Sequence, residues 1–198
     1  MVEAVSRTFR LLPLLFALLA VPSARFAHRD DPYLQATLVV IEPSGVRLQI
    51  NLTPGVAVAE QVLARIDRDR DGAISQNEAA AYARLLMRDL TLRVDGRKLE
   101  LNLTAPELVS PAELRTGAGI IQLEFSASSG PLATGTHRLT LENRHLSAIS
   151  VYLFNAAQPR LATVRINRQK RNNNQSKGEI EFTYQPLRPK IAGSAGPD

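Results

Sequence analysis

In several short segments of this chain every second residue is apolar, and this period most restricts the folds that the chain can adopt. Residues 46–53 read Val-Arg-Leu-Gln-Ile-Asn-Leu-Thr, which is the two-residue period of a half-buried β-strand. The apolar segment 34–41 precedes them, and the residues between the two segments, Glu-Pro-Ser-Gly, have the composition of a turn. We therefore expect a β-hairpin at the start of the folded sequence.

Segments of the same kind follow as far as residue 184. Asp95-Gly96 separates two of them, and this dipeptide is typical of a two-residue hairpin turn. In the register that the turn sets, Leu92 faces Leu99 and Leu90 faces Leu101. Further strands are predicted at residues 120–125, 138–142, 149–154, 161–166 and 179–184, with a basic, polar hairpin tip at 167–178. About nine short strands favour a mainly β fold, an antiparallel β-sandwich that is immunoglobulin-like or related.

Residues 58–90 have helical spacing instead of strand spacing. Their apolar residues form two stripes, Ala59, Val62, Leu63 and Ile66, then Ala79, Tyr82, Ala83, Leu86 and Leu90. The pattern predicts two helices on either side of residues 67–78, inserted into the sandwich at residues 56–90. A shorter helical turn is expected where Ser110, Pro111 and Glu113 have the composition of a capped helix start.

The N-terminus has the composition of a secretory signal peptide. Two arginines precede an apolar run from Leu11 to Val21, and small residues follow it. The run is shorter than the ~20 residues that span a bilayer, so we expect cleavage and no transmembrane segment in the mature protein. The predicted organisation is a signal peptide at 1–27, one β-sandwich domain at 28–185 and a flexible tail at 186–198. The leader favours a periplasmic or secreted bacterial protein.

The composition excludes some classes of function. The chain has no cysteine, so thiol chemistry and disulfides are excluded, and the fold depends on its hydrophobic core, with or without a metal. Removal of residues 1–27 lowers the net charge from +5 to +3, which is mild, and the basic residues near the tip are not interleaved with aromatic ones. No nucleic-acid partner is therefore expected. The expected partner is an unknown protein or a component of the cell envelope.

Residues 67–78 carry the pattern with the most specific chemistry. They read Asp-Arg-Asp-Arg-Asp-Gly-Ala-Ile-Ser-Gln-Asn-Glu, which places oxygen ligands at alternate positions, as a hard cation such as calcium requires. The expected ligands are three carboxylates, a backbone carbonyl, a serine that acts directly or through water, and a bidentate glutamate: Asp67, Asp69, Asp71, Ala73, Ser75 and Glu78.

This pattern resembles the calcium loop of the EF-hand family, and the resemblance covers residues 58–90, one helix-loop-helix unit. It implies a bound Ca²⁺, with Gly72 at the sharp turn and Ile74 at a position that supplies no ligand. The sequence contains no second loop of this kind. We therefore expect a single structural site with a dissociation constant on the order of 10⁻⁴ to 10⁻³ M. Magnesium fits less well because its small octahedral shell does not suit a bidentate glutamate.

The same residues allow other interpretations. The acids could form a solvated turn in which Ser75 and Glu78 make a capping box for the second helix, and capping is compatible with calcium binding. If the signal peptide is cleaved after Ala27, the amine and imidazole of His28 could together chelate a transition metal. The other two histidines, His137 and His145, are expected at the surface.

The order of elements also resembles the exported soluble region of HupE/UreJ-type membrane proteins. The likeness lies in His28-Arg, an early β-hairpin, an inserted helix pair of the EF-hand kind and further strands. That family is associated with nickel or cobalt handling. The resemblance therefore implies an alternative function, a periplasmic accessory protein that handles nickel, cobalt or copper.

The sequence shows no catalytic motif. It has no recognisable nucleophile arrangement and no Gly-rich phosphate loop after a strand, so the main expectation is a binding or scaffold module that is not an enzyme. A hydrolase with an unrecognised carboxylate site is the other alternative. It predicts a cleft lined by paired carboxylates.

Overall fold

Ten β-strands and three α-helices make up the part of the chain that the computed structural model describes, residues 31–107 and 109–187. The strands are β1 (Tyr33–Glu42), β2 (Gly45–Pro54), β3 (Leu90–Val94), β4 (Arg97–Lys98), β5 (Asn102–Glu107), β6 (Ile121–Ser128), β7 (Gly135–Asn143), β8 (Ser150–Ala156), β9 (Val164–Arg171) and β10 (Lys177–Tyr184). The helices are α1 (Ala59–Ile66), α2 (Gln76–Arg88) and α3 (Pro111–Arg115). The predicted signal peptide, His28 and most of the predicted tail, residues 188–198, lie outside the described residues.

The strands form two five-stranded sheets. The first has the order β5-β6-β2-β1-β8, and the second has the order β4-β3-β7-β10-β9. Neighbouring strands are antiparallel except β1 and β8, which are parallel. The predicted mainly β sandwich is confirmed, with one parallel pair that the sequence did not indicate. This pair forms where the chain crosses from β7 back to the first sheet, because the Tyr33 amide donates to the Ile149 carbonyl (2.8 Å) and sets β8 beside β1.

The hydrophobic core lies between the sheets and extends under the helix pair. Strands β1 and β2 bury alternate residues, as the two-residue period predicts. Phe125 and Phe182 are fully buried residues of the first and second sheet. The helix stripes join the same core through Leu63 of α1 and Leu86 of α2. The helix pair is therefore packed into the sandwich and is not a separate unit.

The Asp95-Gly96 turn is present, but the hairpin that it opens is shorter than predicted. Both residues have positive φ, 50° and 81°, as a type I′ turn requires. The Leu99 amide donates to the Leu92 carbonyl at 3.0 Å, so the first predicted pair is correct. The predicted pairing of Leu90 with Leu101 is wrong. Strand β4 ends at Lys98 because the chain must then cross to the first sheet, where β5 begins at Asn102.

The last hairpin has longer strands than the sequence indicated. Strand β9 begins at Val164 and continues to Arg171, and β10 begins at Lys177. The predicted polar tip at 167–178 is therefore wrong, and the turn is residues 172–176. An edge strand that is exposed over most of its length needs no apolar alternation, so the two-residue period disappears from its sequence.

The three helices begin and end close to the predicted positions. A 3₁₀ turn at Val56–Val58 leads into α1, and both predicted apolar stripes are buried. Helix α3 has the expected capping box, in which Ser110 and Glu113 bond each other's backbone amides. None of the helices in the described residues is both long and apolar enough to cross a membrane.

Candidate metal centre

The nine residues between α1 and α2 hold five of the six predicted ligands, and the sixth, Glu78, lies in the first turn of α2. Helix α1 ends at Ile66, and the Asp67 amide still donates to the Leu63 carbonyl at 2.9 Å. Helix α2 begins at Gln76 with Ser75 as its N-cap. The two helices, each with one buried face, therefore fix both ends of an exposed loop.

Three aspartates of the loop converge. Asp67, Asp69 and Asp71 each place a carboxylate oxygen within 4.8 Å of the other two. Backbone amides hold each carboxylate by an oxygen: Gly72 donates to Asp67 Oδ2 (3.1 Å), Asp71 to Asp69 Oδ1 (3.2 Å) and Ala73 to Asp71 Oδ1 (2.8 Å). The loop thus orients all three carboxylates and leaves each of them with a second oxygen for another partner.

One of these second oxygens is buried and unpaired. Asp67 Oδ1 is shielded from solvent and accepts no hydrogen bond from any described residue. An unsatisfied buried acceptor costs about 1–3 kcal/mol, and more when it is charged. A cation bound among the three carboxylates would satisfy this oxygen, so the donor set fits a hard metal ion.

Glu78 is held in a different way. Its Oε2 accepts hydrogen bonds from the amide and hydroxyl of Ser75 (3.0 and 2.8 Å), and its Oε1 accepts one from the Arg68 amide (2.7 Å). These bonds to Ser75, and then the bond to Arg68, lower the pKa of Glu78 to about 2. The capping box that the sequence allowed is present. Glu78 lies outside the described group of three converging carboxylates.

Backbone conformation explains the glycine of the loop. Gly72 has φ of 83°, a region that a β-carbon disfavours. A β-carbon placed there would meet no atom within 4 Å. The glycine is therefore required by its dihedral angle and not by lack of space.

The Ile74 side chain attaches the loop to the hydrophobic core. This half-buried side chain packs on the core and lines a small apolar cleft together with Ile66 of α1 and Ile121 of β6. The Ile74 side chain therefore lies between the helices and the first sheet. The loop is thereby attached to the first sheet as well as to its own helices.

A buried chain of hydrogen bonds ties α2 to the sandwich. The Tyr82 hydroxyl lies 2.7 Å from the Tyr33 hydroxyl and 3.1 Å from His145 Nε2. His145 Nδ1 lies 2.7 Å from a carboxylate oxygen of Asp89, at the end of α2. Burial lowers the pKa of His145, and the hydrogen bond to Asp89 offsets this only in part. The helix that carries Glu78 is thus fixed to β1 and to the loop after β7.

The surface positions predicted for His137 and His145 are wrong. Their exposed fractions are 8% and 1%, because each ring has a partner at both nitrogens. Burial by itself would lower the pKa of His137, but hydrogen bonds to the Asp95 carboxylate and the Ala133 carbonyl outweigh it and raise the pKa. The alternation of His137 with Leu139 was a signal for its burial in β7.

A groove on the outer face of the first sheet is lined by two acidic residues, Glu107 and Glu124. Glu124 lies 3.3 Å from the Arg47 guanidinium. The hydrolase alternative called for a cleft with paired carboxylates, and it stays a prediction. The transition-metal alternative depends on His28, which lies outside the described residues.

Comparison of the chain with family models, with curated proteins and with solved structures finds no match. The resemblances to EF-hand loops and to the exported region of HupE/UreJ-type proteins therefore stay predictions from the residues. What can be said of a metal at this site comes from the loop itself, through its three converging carboxylates and the buried oxygen of Asp67.

Proposed function

We propose that this protein binds a single calcium ion in the loop Asp67–Glu78 and that the ion has a structural role. The observation that carries the proposal is the buried, unpaired Oδ1 of Asp67 beside the carboxylates of Asp69 and Asp71. The protein acts outside the cytoplasm as a binding or scaffold module and not as an enzyme.

The chemistry of the loop favours calcium among the common cations. Its donors are oxygens, which suit hard cations, and it offers no histidine or cysteine to a softer metal. The Ala73 carbonyl and Ser75 extend the set beyond the carboxylates to the six to eight oxygens that calcium takes. Glu78 would complete the shell by exchanging its hydrogen bonds to Ser75 and Arg68 for the ion.

A structural role follows from how the helices are held. Tyr82 and the buried stripes of both helices are fixed to the sandwich. A large opening of the helix pair would expose these groups to water, so the ion would restrain the loop and not release the helices. Binding would then add to the free energy of unfolding by mass action.

The expected affinity rests on a location outside the cytoplasm. A single loop of this kind has an expected dissociation constant on the order of 10⁻⁴ to 10⁻³ M, in the range of extracellular modules. The leader predicted at residues 1–27 would export the protein. Calcium at millimolar concentration would then occupy the site.

Isothermal titration calorimetry of the chelator-treated protein tests the proposal. We expect one calcium ion per chain for the wild type, and binding weaker by about tenfold or more for Glu78→Gln, which removes one carboxylate from the expected shell. Glu113→Gln is the matched control because Glu113 makes the same capping box in α3, outside the loop. It should bind calcium as the wild type does.

Two results would count against the proposal. One is a wild-type protein that gives no heat with millimolar calcium. The other is equal weakening by Glu78→Gln and Glu113→Gln, which would assign the effect to helix capping.

A further inference from the structure

The outer face of the first sheet forms a groove with a volume of about 490 Å³, within the ~300–1,000 Å³ range of small-molecule sites. Two neighbouring rows of side chains cross it from strand to strand. The pairing register places Leu153, Ala36, Asn51, Gln122 and Glu107 in one row, and Asn155, Leu38, Gln49 and Glu124 in the next. All five strands of the sheet contribute to the groove.

Apart from Asn155, the β8 and β1 side of the groove is apolar, and the β2 and β6 side is rich in amides. Leu153, Ala36 and Leu38 lie on β8 and β1, and Leu153 is 39% exposed. Gln49, Asn51 and Gln122 lie on β2 and β6. These three side chains are exposed and make no hydrogen bond to another described residue. Each amide has both donors and an acceptor available for a ligand.

The outer face of the second sheet is different. Its charged side chains pair with each other across strands, with Arg138 3.8 Å from Glu179 and Arg168 3.5 Å from Glu181. The charged groups of such a face are satisfied by each other and by water. The unpaired amides beside exposed aliphatic side chains are therefore a property of the first sheet and not of the sandwich as a whole.

The charges around the groove argue against an anionic ligand. No basic side chain lines it. The Arg47 guanidinium beside the groove lies 2.9 Å from Glu42 and 3.3 Å from Glu124, so it is already neutralised. The Arg171 guanidinium donates to Asn155 Oδ1 (2.6 Å) at the β8 edge of the groove, and the carboxylate of Glu107, at the β5 edge, offsets its charge. The groove therefore suits an uncharged ligand with many hydroxyl groups and an aliphatic face.

An extended peptide is the other ligand that a β-sheet commonly takes, and it does so by pairing with an edge strand. Side chains of β9 block the β8 edge. Gln169 Oε1 accepts from the Ala156 amide (2.8 Å), and Arg171 Nε donates to the Phe154 carbonyl (2.6 Å). A peptide strand could not reach these backbone groups, so a ligand at the β8 side of the sheet would contact the side-chain face instead.

We propose that this groove binds an uncharged saccharide chain, whose hydroxyl groups bond the amides of Gln49, Asn51 and Gln122 while its carbon-bound hydrogens pack on Leu38 and Leu153. This inference does not depend on the calcium site. It names a class of ligand for the binding module proposed above.

Nuclear magnetic resonance titration of the full chain tests the inference. The probes are neutral gluco-, manno- and galacto-oligosaccharides, an oligouronate as the acidic comparison, and an uncharged peptide. A neutral oligosaccharide should shift the side-chain amide signals of Gln49, Asn51 and Gln122. The double variant Asn51→Ala/Gln122→Ala should bind it about tenfold less tightly or worse, since two hydrogen-bonding amides are lost.

The control is Thr91→Ala/Thr140→Ala, which changes the outer face of the second sheet. It should bind the same oligosaccharide as the wild type does. The inference is overturned if no neutral oligosaccharide shifts the groove amides at millimolar concentration, or if the peptide or the oligouronate shifts them and the neutral sugars do not. A thermal melt shows whether the double variant is folded, and the wild-type titration decides the question by itself if it is not.

Discussion

At the scale of single residues, the loop depends on a backbone conformation that suits glycine. Gly72 has φ of 83°, and Gly96, in the turn between β3 and β4, has φ of 81°. A β-carbon at either position would contact nothing within 4 Å. The two glycines are therefore equivalent in backbone strain and differ only in what surrounds them.

Gly72→Ala should lower the free energy of unfolding of the calcium-free protein by about 1 kcal/mol, because alanine disfavours the left-handed region. Gly96→Ala should cost a similar amount. Only the first variant should also weaken calcium binding. Urea denaturation measures the stability and calorimetry the affinity, and equal calcium affinity in the two variants would contradict the role assigned to the loop.

Glu78 gives the loop an acid-sensitive contribution to stability. The pKa of this group is lowered from 4.5 to about 2, first by hydrogen bonds from Ser75 and then by the one from Arg68. A carboxylate with a lowered pKa stabilises the fold above its unfolded pKa, and that contribution is lost as the pH falls through the folded value. The relevant window therefore runs from pH 4.5 down to about 2.

Without calcium, the unfolding free energy of Glu78→Gln should fall less steeply than that of the wild type across this window. Glu100→Gln removes an exposed acid that makes no hydrogen bond to a described residue, and its pH profile should follow the wild type. Urea melts at a series of pH values provide the measurement. Parallel profiles for the wild type and Glu78→Gln would show that Glu78 is not held as described.

At the scale of elements, the strands that bury alternate residues could be predicted from the sequence. Strand ends and pairings that depend on residues distant in sequence could not. The hairpin of β1 and β2 was correct because each strand buries one face. The ends of β9 were wrong because an exposed edge strand carries no such pattern. The parallel pairing of β1 with β8 depends on how the chain returns from the second sheet. The spacing of apolar residues within a strand does not specify this path.

Some features of the candidate site could likewise be predicted from the sequence, and others depend on the tertiary structure. The expected ligands from Asp67 to Glu78 are predicted from spacing alone. The buried oxygen of Asp67 and the bond from the Arg68 amide to Glu78 depend on how α1 and α2 approach each other. The burial of His145 likewise depends on a partner 63 residues away in sequence, Tyr82.

The attachment of α2 to the sandwich can be measured through Tyr82. Tyr82→Phe should lower the free energy of unfolding by about 1–3 kcal/mol, because Tyr33 and His145 each lose a buried hydrogen-bond partner. Tyr184→Phe is the control, since the Tyr184 hydroxyl bonds no described residue, and it should change stability by less than about 0.5 kcal/mol. Equal effects of the two variants in urea denaturation would show that the hydrogen bonds of Tyr82 do not stabilise the fold.

At the scale of the whole molecule, the helix pair and the groove meet at one strand. Pro106 and Glu107 of β5 line both the groove and the apolar cleft beneath Ile74. The candidate calcium loop, the helices beside it and the outer face of the first sheet therefore belong to one packed body. An ion that orders the loop would act next to the surface that we propose for a saccharide.

The most direct test of the calcium site is an anomalous difference map from crystals grown with calcium. We expect one peak within the loop, at about 2.3–2.6 Å from Asp67 Oδ1 and from oxygens of Asp69, Asp71, Ala73 and Glu78. A loop without a peak, or a peak whose ligands leave Asp67 Oδ1 unbound, would contradict this expectation.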